Sequence, residues 1–428
     1  MLGNLSNDDG APATSGAQDQ TKVAGPGDPR ARRGGDPAPE DLARPATEAD
    51  VRRVYLDATS MGYIINGVGP ITAFIAVALV LSDAQAGLHS VALAAGLISA
   101  GLTTARLDRV IGTSRVHVVA LVLLALSTCL LAWAPTLAVT LLAAAAAGLS
   151  FGVMLAHVNQ TLTAGGGPLA RVRTARGTLI AQISGLTVPV VIAAGVALGV
   201  GWGFVALPVL VLVAMSLFFA RGRNYRPIPP ASSDGRLNRS FWMGWLFLVT
   251  ISSFESAIVF WAGPLVARQT AVPLEEAVLV FSAFLAGMVV SRFGLSLSAV
   301  SRLEPIWLLR AGLVGVLLGS LLAWTSSSFG LSVAAFLLAG FGSGVLFPLG
   351  IALSMDAAPL QPQLASSRLV LGPGLGLLAM PVILGVIADA TDVGSAWILV
   401  PLICLAAMAL TVPLAQARRA MSTPATTA

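Results

Sequence analysis

Long apolar runs separated by short breaks make up most of this sequence after residue 56. Each run is close to the roughly 20 residues that a helix needs to cross a hydrocarbon layer about 30 Å thick. Backbone N–H and C=O groups inside hydrocarbon must form hydrogen bonds within the span, which favours helices. Runs such as Leu137 to Leu149 lack the alternation of apolar and polar residues that is typical of barrel strands. The twelve runs cover residues 57–82, 85–105, 115–133, 135–157, 177–199, 203–220, 241–266, 274–292, 306–325, 329–353, 368–388 and 395–416. The sequence therefore predicts an all-α membrane protein with twelve transmembrane helices.

The charge content agrees with a protein surrounded by lipid. Only 11% of the 428 residues are charged and 56% are hydrophobic, whereas soluble domains carry about 25% charged residues. The net charge of +5 does not indicate nucleic-acid binding, because the cations are scattered over many loops and do not form one basic face. The two cysteines, Cys129 and Cys404, are too few and too distant for a metal site. We expect neither a metal nor a cofactor.

Arginine placement predicts the orientation of the chain. Of the 25 cations, all but Arg268 fall in the N-terminal tail, in the loops that follow even-numbered spans, or in the C-terminal tail. Because cytoplasmic loops carry the excess of Lys and Arg, we predict a multi-pass protein of the cytoplasmic (inner) membrane with both termini in the cytoplasm. Residues 1–53 are rich in Pro, Gly and charged residues, so we expect a disordered cytoplasmic tail, and they lack the apolar stretch of a signal peptide.

Three short segments recur in order, at nearly constant separation, in the two halves of the chain. Ser99 to Leu107, at the end of span 2, matches Leu285 to Phe293, at the end of span 8. Ala147 to Met154 matches Ala339 to Leu346, and a Val-Pro-Val in span 5 has a Met-Pro-Val counterpart in span 11. The repeat predicts two pseudo-symmetric six-helix bundles. Their bounds are 54–220 and 241–416, with a cytoplasmic linker at 221–240 and a C-terminal tail at 417–428.

This arrangement resembles the major facilitator superfamily, whose loop between spans 2 and 3 carries the signature G-x-x-x-D-R-x-G-R. The resemblance covers residues from about 55 to 416. Ala105 stands at the acidic position of the signature, and Asp108 can supply that charge from a neighbouring position. The resemblance implies a cytoplasmic gate that is formed by Gly101, Arg106, Asp108 and Arg109 in the first half and by Gly287, Arg292 and Gly294 in the second.

The resemblance also implies secondary transport by alternating access, in which two bundles rock around a cavity at the midplane. The single lysine, Lys22, precedes the first span, so the chain lacks a P-loop that could bind ATP. His89, His117 and His157 are scattered singly. We expect each to be a satisfied or interfacial histidine, and we do not expect an enzyme. A non-transporting membrane sensor or scaffold on the same fold is an alternative of another class.

Glu255 is the acid that the sequence places deepest in the membrane. It lies about fourteen residues after Phe241 and ten before Leu265, whereas the other acids, Asp57 among them, fall near the ends of spans. An ionised side chain at that depth costs at least about 2.5–3.5 kcal/mol. No Lys or Arg is expected at a comparable depth to pair with it. We predict that Glu255 couples transport to protons, with substrate contact and a purely structural hydrogen bond as alternatives.

The resemblance implies that spans 1 and 7 flank the central cavity, and Gln182 in span 5 is a further candidate to line it. The predicted lining residues are Tyr63, Asn66, Gln182, Phe260 and Trp261. Polar groups within the spans are sparse, which favours efflux of an amphipathic or drug-like solute. A proton-coupled uptake symporter for a sugar-like or other small metabolite is the alternative. Because one chain supplies both halves of the pathway, we expect a monomer whose partners are the lipid bilayer, a small solute and protons.

Overall fold

Helices make up nearly all of the chain that is described. The computed structural model describes residues 47–164, 167–220, 236–295, 303–358, 361–369 and 371–422. Within these ranges twelve segments are long and apolar enough to cross a membrane, and no strand occurs. The all-α prediction is therefore confirmed. The predicted tail up to residue 46 and the linker residues 221–235 lie outside the described residues.

Each bundle contributes six spans, and the tenth span consists of two helices, α10a and α10b. The first bundle contains α1 (Glu48–Leu79), α2 (Asp83–Ile111), α3 (Thr113–Trp133), α4 (Leu137–Leu162), α5 (Gly167–Ala197) and α6 (Ala206–Ala220), with a 3₁₀ turn at Trp202–Val205. The second bundle contains α7 (Arg239–Thr270), α8 (Leu279–Leu295), α9 (Pro305–Thr325), α10a (Phe329–Ser343), α10b (Leu346–Asp356), α11 (Leu371–Ala390) and α12 (Leu399–Ser422). Short helical segments at Leu274–Ala277, Pro362–Leu369 and Val393–Ala396 precede α8, α11 and α12.

The first helix begins earlier than the predicted end of the tail at residue 53. The Thr47 side chain accepts a hydrogen bond from the Asp50 backbone N–H, and the Asp50 side chain accepts one from the Thr47 backbone N–H. This capping box satisfies two of the backbone donors that a helix start leaves free, so α1 begins at Glu48. The helix is consequently 32 residues long, and Asp57 is its tenth residue instead of its first.

Glycines allow α2 and α4 to pack with their backbones in contact. An added Cβ on Gly96 would lie 1.9 Å from the carbonyl oxygen of Ala145, and one on Gly148 would lie 2.0 Å from the carbonyl oxygen of Leu93. Neither distance leaves room for a side chain. Small residues thus set the separation of these two helices, as is common where membrane helices approach closely.

The same contact recurs between α8 and α10a in the second bundle. An added Cβ on Gly287 would lie 2.2 Å from the carbonyl oxygen of Leu337, and one on Gly340 would lie 1.8 Å from that of Phe284. By these contacts the counterpart of Gly287 in the first bundle is Gly96. The sequence match between spans 2 and 8 paired Gly287 with Gly101 instead, so that predicted register is wrong by five residues.

This shift changes the interpretation of the predicted gate motif. The counterpart of Gly101 is Arg292 and not Gly287, because both positions lie five residues after the glycine that packs against the fourth helix of the bundle. The similar sequences Ser99 to Leu107 and Leu285 to Phe293 therefore lie at different depths in their bundles. Arg292 is consequently about one and a half turns deeper in its bundle than Arg106 is in the first.

The tenth span is interrupted at its centre. Helix α10a ends at Ser343 and α10b begins at Leu346, with a turn at Gly344 and Val345. Pro348 has no backbone N–H, so the carbonyl oxygen of Gly344 lacks the donor that an α-helix would supply four residues later. The break therefore leaves a carbonyl oxygen without a backbone donor near the middle of the span.

Candidate functional site

Glu255 occupies the centre of the long helix α7. It lies sixteen residues after Arg239 and fifteen before Thr270, so either end of the helix is roughly 23 Å away at a rise of 1.5 Å per residue. The Ser343 hydroxyl donates a hydrogen bond to the Glu255 Oε1 atom. Glu255 is thus held against the last residue of α10a, next to the break in the tenth span.

Arg292 binds the other side of the same break. Its Nε atom donates a hydrogen bond to the Gly344 carbonyl oxygen at 3.1 Å, which is the acceptor that Pro348 leaves free. The guanidinium group is also close enough to Glu255 for the two charges to interact. The prediction that no cation lies at the depth of Glu255 is wrong, because the true register of α8 carries Arg292 into the membrane.

The interface between the bundles passes beside this cluster. The Gln182 Nε2 atom of α5 contacts the Met288 Sδ atom of α8 at 3.9 Å, and an added Cβ on Gly344 would lie 2.6 Å from the Met288 carbonyl oxygen. The Gln182 Oε1 atom is buried without a hydrogen-bond partner among the described residues. One short path of contacts therefore joins Gln182 to Gly344, which accepts a hydrogen bond from Arg292 and follows Ser343, the partner of Glu255.

Two of the predicted lining residues border a cavity, and two lie elsewhere. Phe260 and Trp261 line a cavity of about 290 Å³ between the bundles, and the Trp261 indole N–H donates to the Pro381 carbonyl oxygen. Tyr63 is buried in the core of the first bundle, where its hydroxyl donates to the Val205 carbonyl oxygen at 3.2 Å. Asn66 donates to the Gly62 carbonyl oxygen one turn earlier in α1 and packs against Gly185 of α5.

The cavity lies near the end of the molecule that contains Arg268. Its other walls come from α1, α2 and α7 and are mostly small or apolar; they include Thr72, Ala73, Ala76, Asp83, Pro264 and Arg268. Such a lining suits apolar surface of a solute, with the Asp83 and Arg268 charges at one edge.

Arg268 closes this end of the cavity by joining the two bundles. Its Nη1 and Nη2 atoms donate to the two carboxylate oxygens of Asp83 at 2.8 and 2.7 Å. The Asp389 carboxylate accepts hydrogen bonds from the backbone N–H groups of Asp83 and Ala84 at 2.7 and 3.0 Å. A carboxylate from α11 thus caps the N-terminus of α2, where backbone donors and the helix dipole favour a negative charge.

The hydrogen bonds described so far between the two bundles lie in the half of the molecule that contains Arg268. The hydrogen bonds from Arg268 and Asp389 to residues of the first bundle lie at the Arg268 end, and those of Gln182 and Ser282 lie between that end and the middle of the membrane. The Ser282 hydroxyl donates to the Leu186 carbonyl oxygen. At the opposite end, Gly101, Arg106 and Arg109 are exposed. The structure is therefore closed at the Arg268 end.

The predicted gate motif of the first half is divided between the surface and the core. Arg106 and Arg109 are exposed, and the Arg109 Nε atom donates to the Ala105 carbonyl oxygen of its own helix. Asp108 is buried instead, with its carboxylate oxygens 3.1 and 3.2 Å from the His157 Nε2 atom. In the second half, Gly294 has open space around it.

His157 belongs to a buried chain of four polar side chains that the sequence analysis missed. The His117 and His157 Nδ1 atoms lie 3.1 Å apart, and the His117 Nε2 atom lies 3.2 Å from the Asp57 Oδ2 atom. The expectation that these two histidines are isolated is wrong, whereas His89 contacts the Ala86 carbonyl oxygen and the Thr140 hydroxyl as a satisfied histidine.

A signal for the histidine pair is present in the sequence. His117 is the fifth residue of α3 and His157 is the sixth from the end of α4. Antiparallel neighbouring spans therefore carry the two rings at the same depth. Within the described ranges, no group of three or more His, Cys, Asp or Glu residues could hold a metal ion.

The sequence matches no family model and no curated protein, but solved structures match the fold. A bacterial homolog of the human lysosomal transporter Spinster, in an inward-facing and occupied conformation, has a TM-score of 0.64 at 15% identity over 88% of this chain and 98% of that one. A POT family peptide transporter has a TM-score of 0.67 at 12% identity over 86% and 96%. The E. coli fucose:proton symporter has a TM-score of 0.57 at 16% identity over 86% and 99%. At these identities the likeness shows the fold.

Proposed function

We propose that this chain, which has the fold of the major facilitator superfamily, is a secondary transporter that moves a small organic solute across the cytoplasmic membrane. Two six-helix bundles with a cavity between them are the architecture that alternating access requires. Similar solved structures include a peptide transporter and a fucose:proton symporter. With the cation-rich loops in the cytoplasm, closure at the Arg268 end corresponds to a state that opens toward the cytoplasm.

The observation that carries a proton-coupled mechanism is the position of Glu255. The carboxyl group is central in the longest helix of the second bundle and contacts Ser343 at the break in the tenth span. An acid at membrane depth is costly, which makes it a candidate for ion coupling. Ser343 and Arg292 provide the partners that stabilise Glu255 when it is ionised.

Proton binding at Glu255 would change the forces at the break. When the carboxyl is ionised, it attracts Arg292 and accepts a hydrogen bond from Ser343, so α7, α8 and α10 are drawn together. When it is protonated, the attraction to Arg292 is lost and the guanidinium keeps only the Gly344 carbonyl oxygen among its described partners. We infer that protonation loosens α7 from α10, next to the place where α8 contacts α5 through Met288 and Gln182.

The mostly apolar walls of the cavity favour an amphipathic solute, and we propose efflux in exchange for protons. Phe260 and Trp261 would contact apolar parts of such a solute. Gln182, which lies outside this cavity at the interface with α8, would supply a polar group from the first bundle as the solute moves along that interface. A proton-coupled uptake symporter is the second candidate, because the fucose:proton symporter has the same fold.

Proton flux in everted membrane vesicles tests this proposal. The vesicles carry an imposed pH gradient and receive a panel of amphipathic compounds, with wild type compared with Glu255→Gln. A matched control is Glu276→Gln, which changes an exposed acid at the start of the eighth span. We expect compound-dependent proton release in wild type and in the control, and none with Glu255→Gln. Unchanged release with Glu255→Gln would contradict the role of Glu255, and proton movement only during solute uptake would favour the symporter.

A further inference from the structure

The four polar residues Asp57, His117, His157 and Asp108 connect four helices of the first bundle. Their side chains are almost completely buried, and they come from α1, α3, α4 and α2 in that order. Three contacts of 3.1–3.2 Å join them into one line from carboxylate to carboxylate. An unpaired charge in such a place is strongly destabilising. The number and positions of the protons on the four side chains must therefore make each of the three contacts attractive.

The internal repeat shows that the fold does not require polar residues at the two histidine positions. Helices α3 and α9 each have 21 residues, and His117 and Leu309 are each the fifth residue of their helix. Gly148 and Gly340 make the same backbone contact in the two bundles. His157 lies nine residues after Gly148, so its counterpart is Leu349, nine residues after Gly340.

An apolar residue also replaces Asp57 in the second bundle. Tyr55 of α1 and Trp245 of α7 make the same side-chain contact to a backbone carbonyl oxygen near the start of α5 or α11, which aligns the two helices. Asp57 lies two residues after Tyr55, and its counterpart two residues after Trp245 is Phe247. Asp57, His117 and His157 therefore have apolar counterparts in the second bundle, and the counterpart of Asp108 lies outside the described residues.

Hydrogen-bond chemistry limits how many protons this line can hold. Two Nδ1 atoms at 3.1 Å attract each other only when one of them carries a proton and the other does not. The His157 Nε2 atom is within hydrogen-bond distance of the Asp108 carboxylate, and the His117 Nε2 atom lies at ion-pair distance from Asp57. A negative charge so close favours a proton on each of these nitrogens. One ring is then a cation and the other is neutral. With no proton between the Nδ1 atoms, two lone pairs face each other; with two, the N–H groups collide.

We propose that Asp57, His117, His157 and Asp108 form a proton-binding site that holds one shared proton. Moving the proton between the two Nδ1 atoms transfers the positive charge from α3 to α4. The carboxylate beside the charged ring balances that charge, and the other carboxylate faces the Nε2–H group of the neutral ring. Losing the proton or gaining a second one removes the attraction between the rings. This site lies in the first bundle and is separate from Glu255, so its existence does not depend on the transport proposal.

The described cations on the helices around the site are exposed or have partners of their own, as the half-buried Arg53 has in Asp50. Arg52, Arg106, Arg109 and Arg115, which lie on the same helices, are exposed. On α5, Arg176 is exposed, and the Arg173 guanidinium is 3.0 Å from Glu48. Tyr55 donates its hydroxyl hydrogen to the Arg173 carbonyl oxygen, and α6 carries no ionisable side chain within Ala206–Ala220.

Nitrogen-15 solid-state NMR of the full chain with labelled histidine, in lipid nanodiscs, tests the site directly. The chain has three histidines, so His89 serves as an internal reference, and the His89→Gln variant assigns its signals. We expect the ring signals of His117 and His157 to change together in one pH step, with a shared N–H···N proton on one side of it. Two rings that titrate independently, or that both stay neutral from pH 5 to 9, would overturn the proposal.

Proton uptake by purified protein provides a measurement that needs no solute. The variant Asp57→Asn/His117→Leu/His157→Leu/Asp108→Asn removes the four titrating groups of the line. It places leucine at the two histidine positions, as the second bundle does, so it should fold. The pH of a weakly buffered sample is lowered from 9 to 5 in one step. We expect wild type to bind about one proton per chain more than the variant, because only wild type takes up the proton shared by the two Nδ1 atoms. Equal proton uptake by wild type and variant would exclude the site, while Glu255-dependent transport could still be present.

Discussion

Arg292 occupies the position in the second bundle that Gly101 occupies in the first. Arg292 lies five residues after Gly287, and Gly101 lies five residues after Gly96. Gly287 and Gly96 are the glycines that pack the second helix of each bundle against the fourth. In the first bundle this position has open space around it. In the second it places a guanidinium group that donates to the Gly344 carbonyl oxygen and whose charge acts on Glu255. The polar chemistry of the two bundles therefore differs although their backbones are related.

Gly96→Ala should destabilise the protein, and Gly101→Ala should not. A Cβ at Gly96 would lie 1.9 Å from the Ala145 carbonyl oxygen, so α2 and α4 would have to separate at a cost of about 1–3 kcal/mol. A Cβ at Gly101 meets nothing within 4 Å, and alanine is the better helix former. Thermal unfolding of both variants in detergent measures the difference. Equal melting temperatures would contradict the packing that defines the repeat.

Breaking the link between Arg268 and Asp83 should open the closed end. The pair is bidentate but partly exposed, so its loss in Arg268→Ala should change the population of the closed state by about five-fold or less. Spin labels on the exposed residues Val80 and Leu331 report the width of this end. The control Arg239→Ala removes an exposed arginine from the other end of α7 and should leave the distance distribution unchanged.

Tyr63 and Phe260 should differ in what their substitution affects. Tyr63→Phe removes a buried hydrogen bond to Val205 within the first bundle, so we expect a loss of about 0.5–1.5 kcal/mol in stability and an unaltered KM for the solute. Phe260→Ala enlarges the cavity and should change KM. Parallel measurements of melting temperature and transport kinetics separate the two effects. A changed KM with Tyr63→Phe at unchanged stability would place its hydroxyl on the solute pathway.

The sequence predicted the features that depend on long stretches of chain. Twelve spans follow from run length, and the confirmed fold follows from the repeat and its resemblance to a known family. The central depth of Glu255 also follows from counting residues within its span. Such predictions average over many residues, so an error of a few positions at one end of a helix does not change them.

The sequence did not predict the features that depend on register between helices. Gly and Ala are frequent in all these spans, so a five-residue error in matching α2 with α8 went undetected and placed Arg292 at the surface. The contact between His117 and His157 requires that two helices turn particular faces toward each other, which apolar periodicity does not specify when a helix is hydrophobic all round. Depth could be inferred from the sequence, but facing direction could not.

The role of Arg292 in binding the broken span can be separated from its role as a charge. Arg292→Met removes the donor to the Gly344 carbonyl oxygen and should cost about 1–3 kcal/mol, because a buried acceptor is left unsatisfied. Pro348→Ala restores a backbone N–H four residues after Gly344, which is the donor that a continuous helix provides. We therefore expect Pro348→Ala to recover most of the stability that Arg292→Met loses, in a double-mutant cycle followed by thermal unfolding.

The double variant should remain defective in proton coupling even where its stability is recovered. A backbone donor replaces the hydrogen bond to Gly344, but it supplies no positive charge beside Glu255, so the ionised carboxyl would lose its partner. Comparing thermal unfolding with solute-dependent proton flux in the same set of variants distinguishes the two roles. If the two substitutions instead add without any rescue of stability, the Gly344 carbonyl oxygen does not depend on Arg292. If flux recovers together with stability, the charge of Arg292 is not needed for coupling.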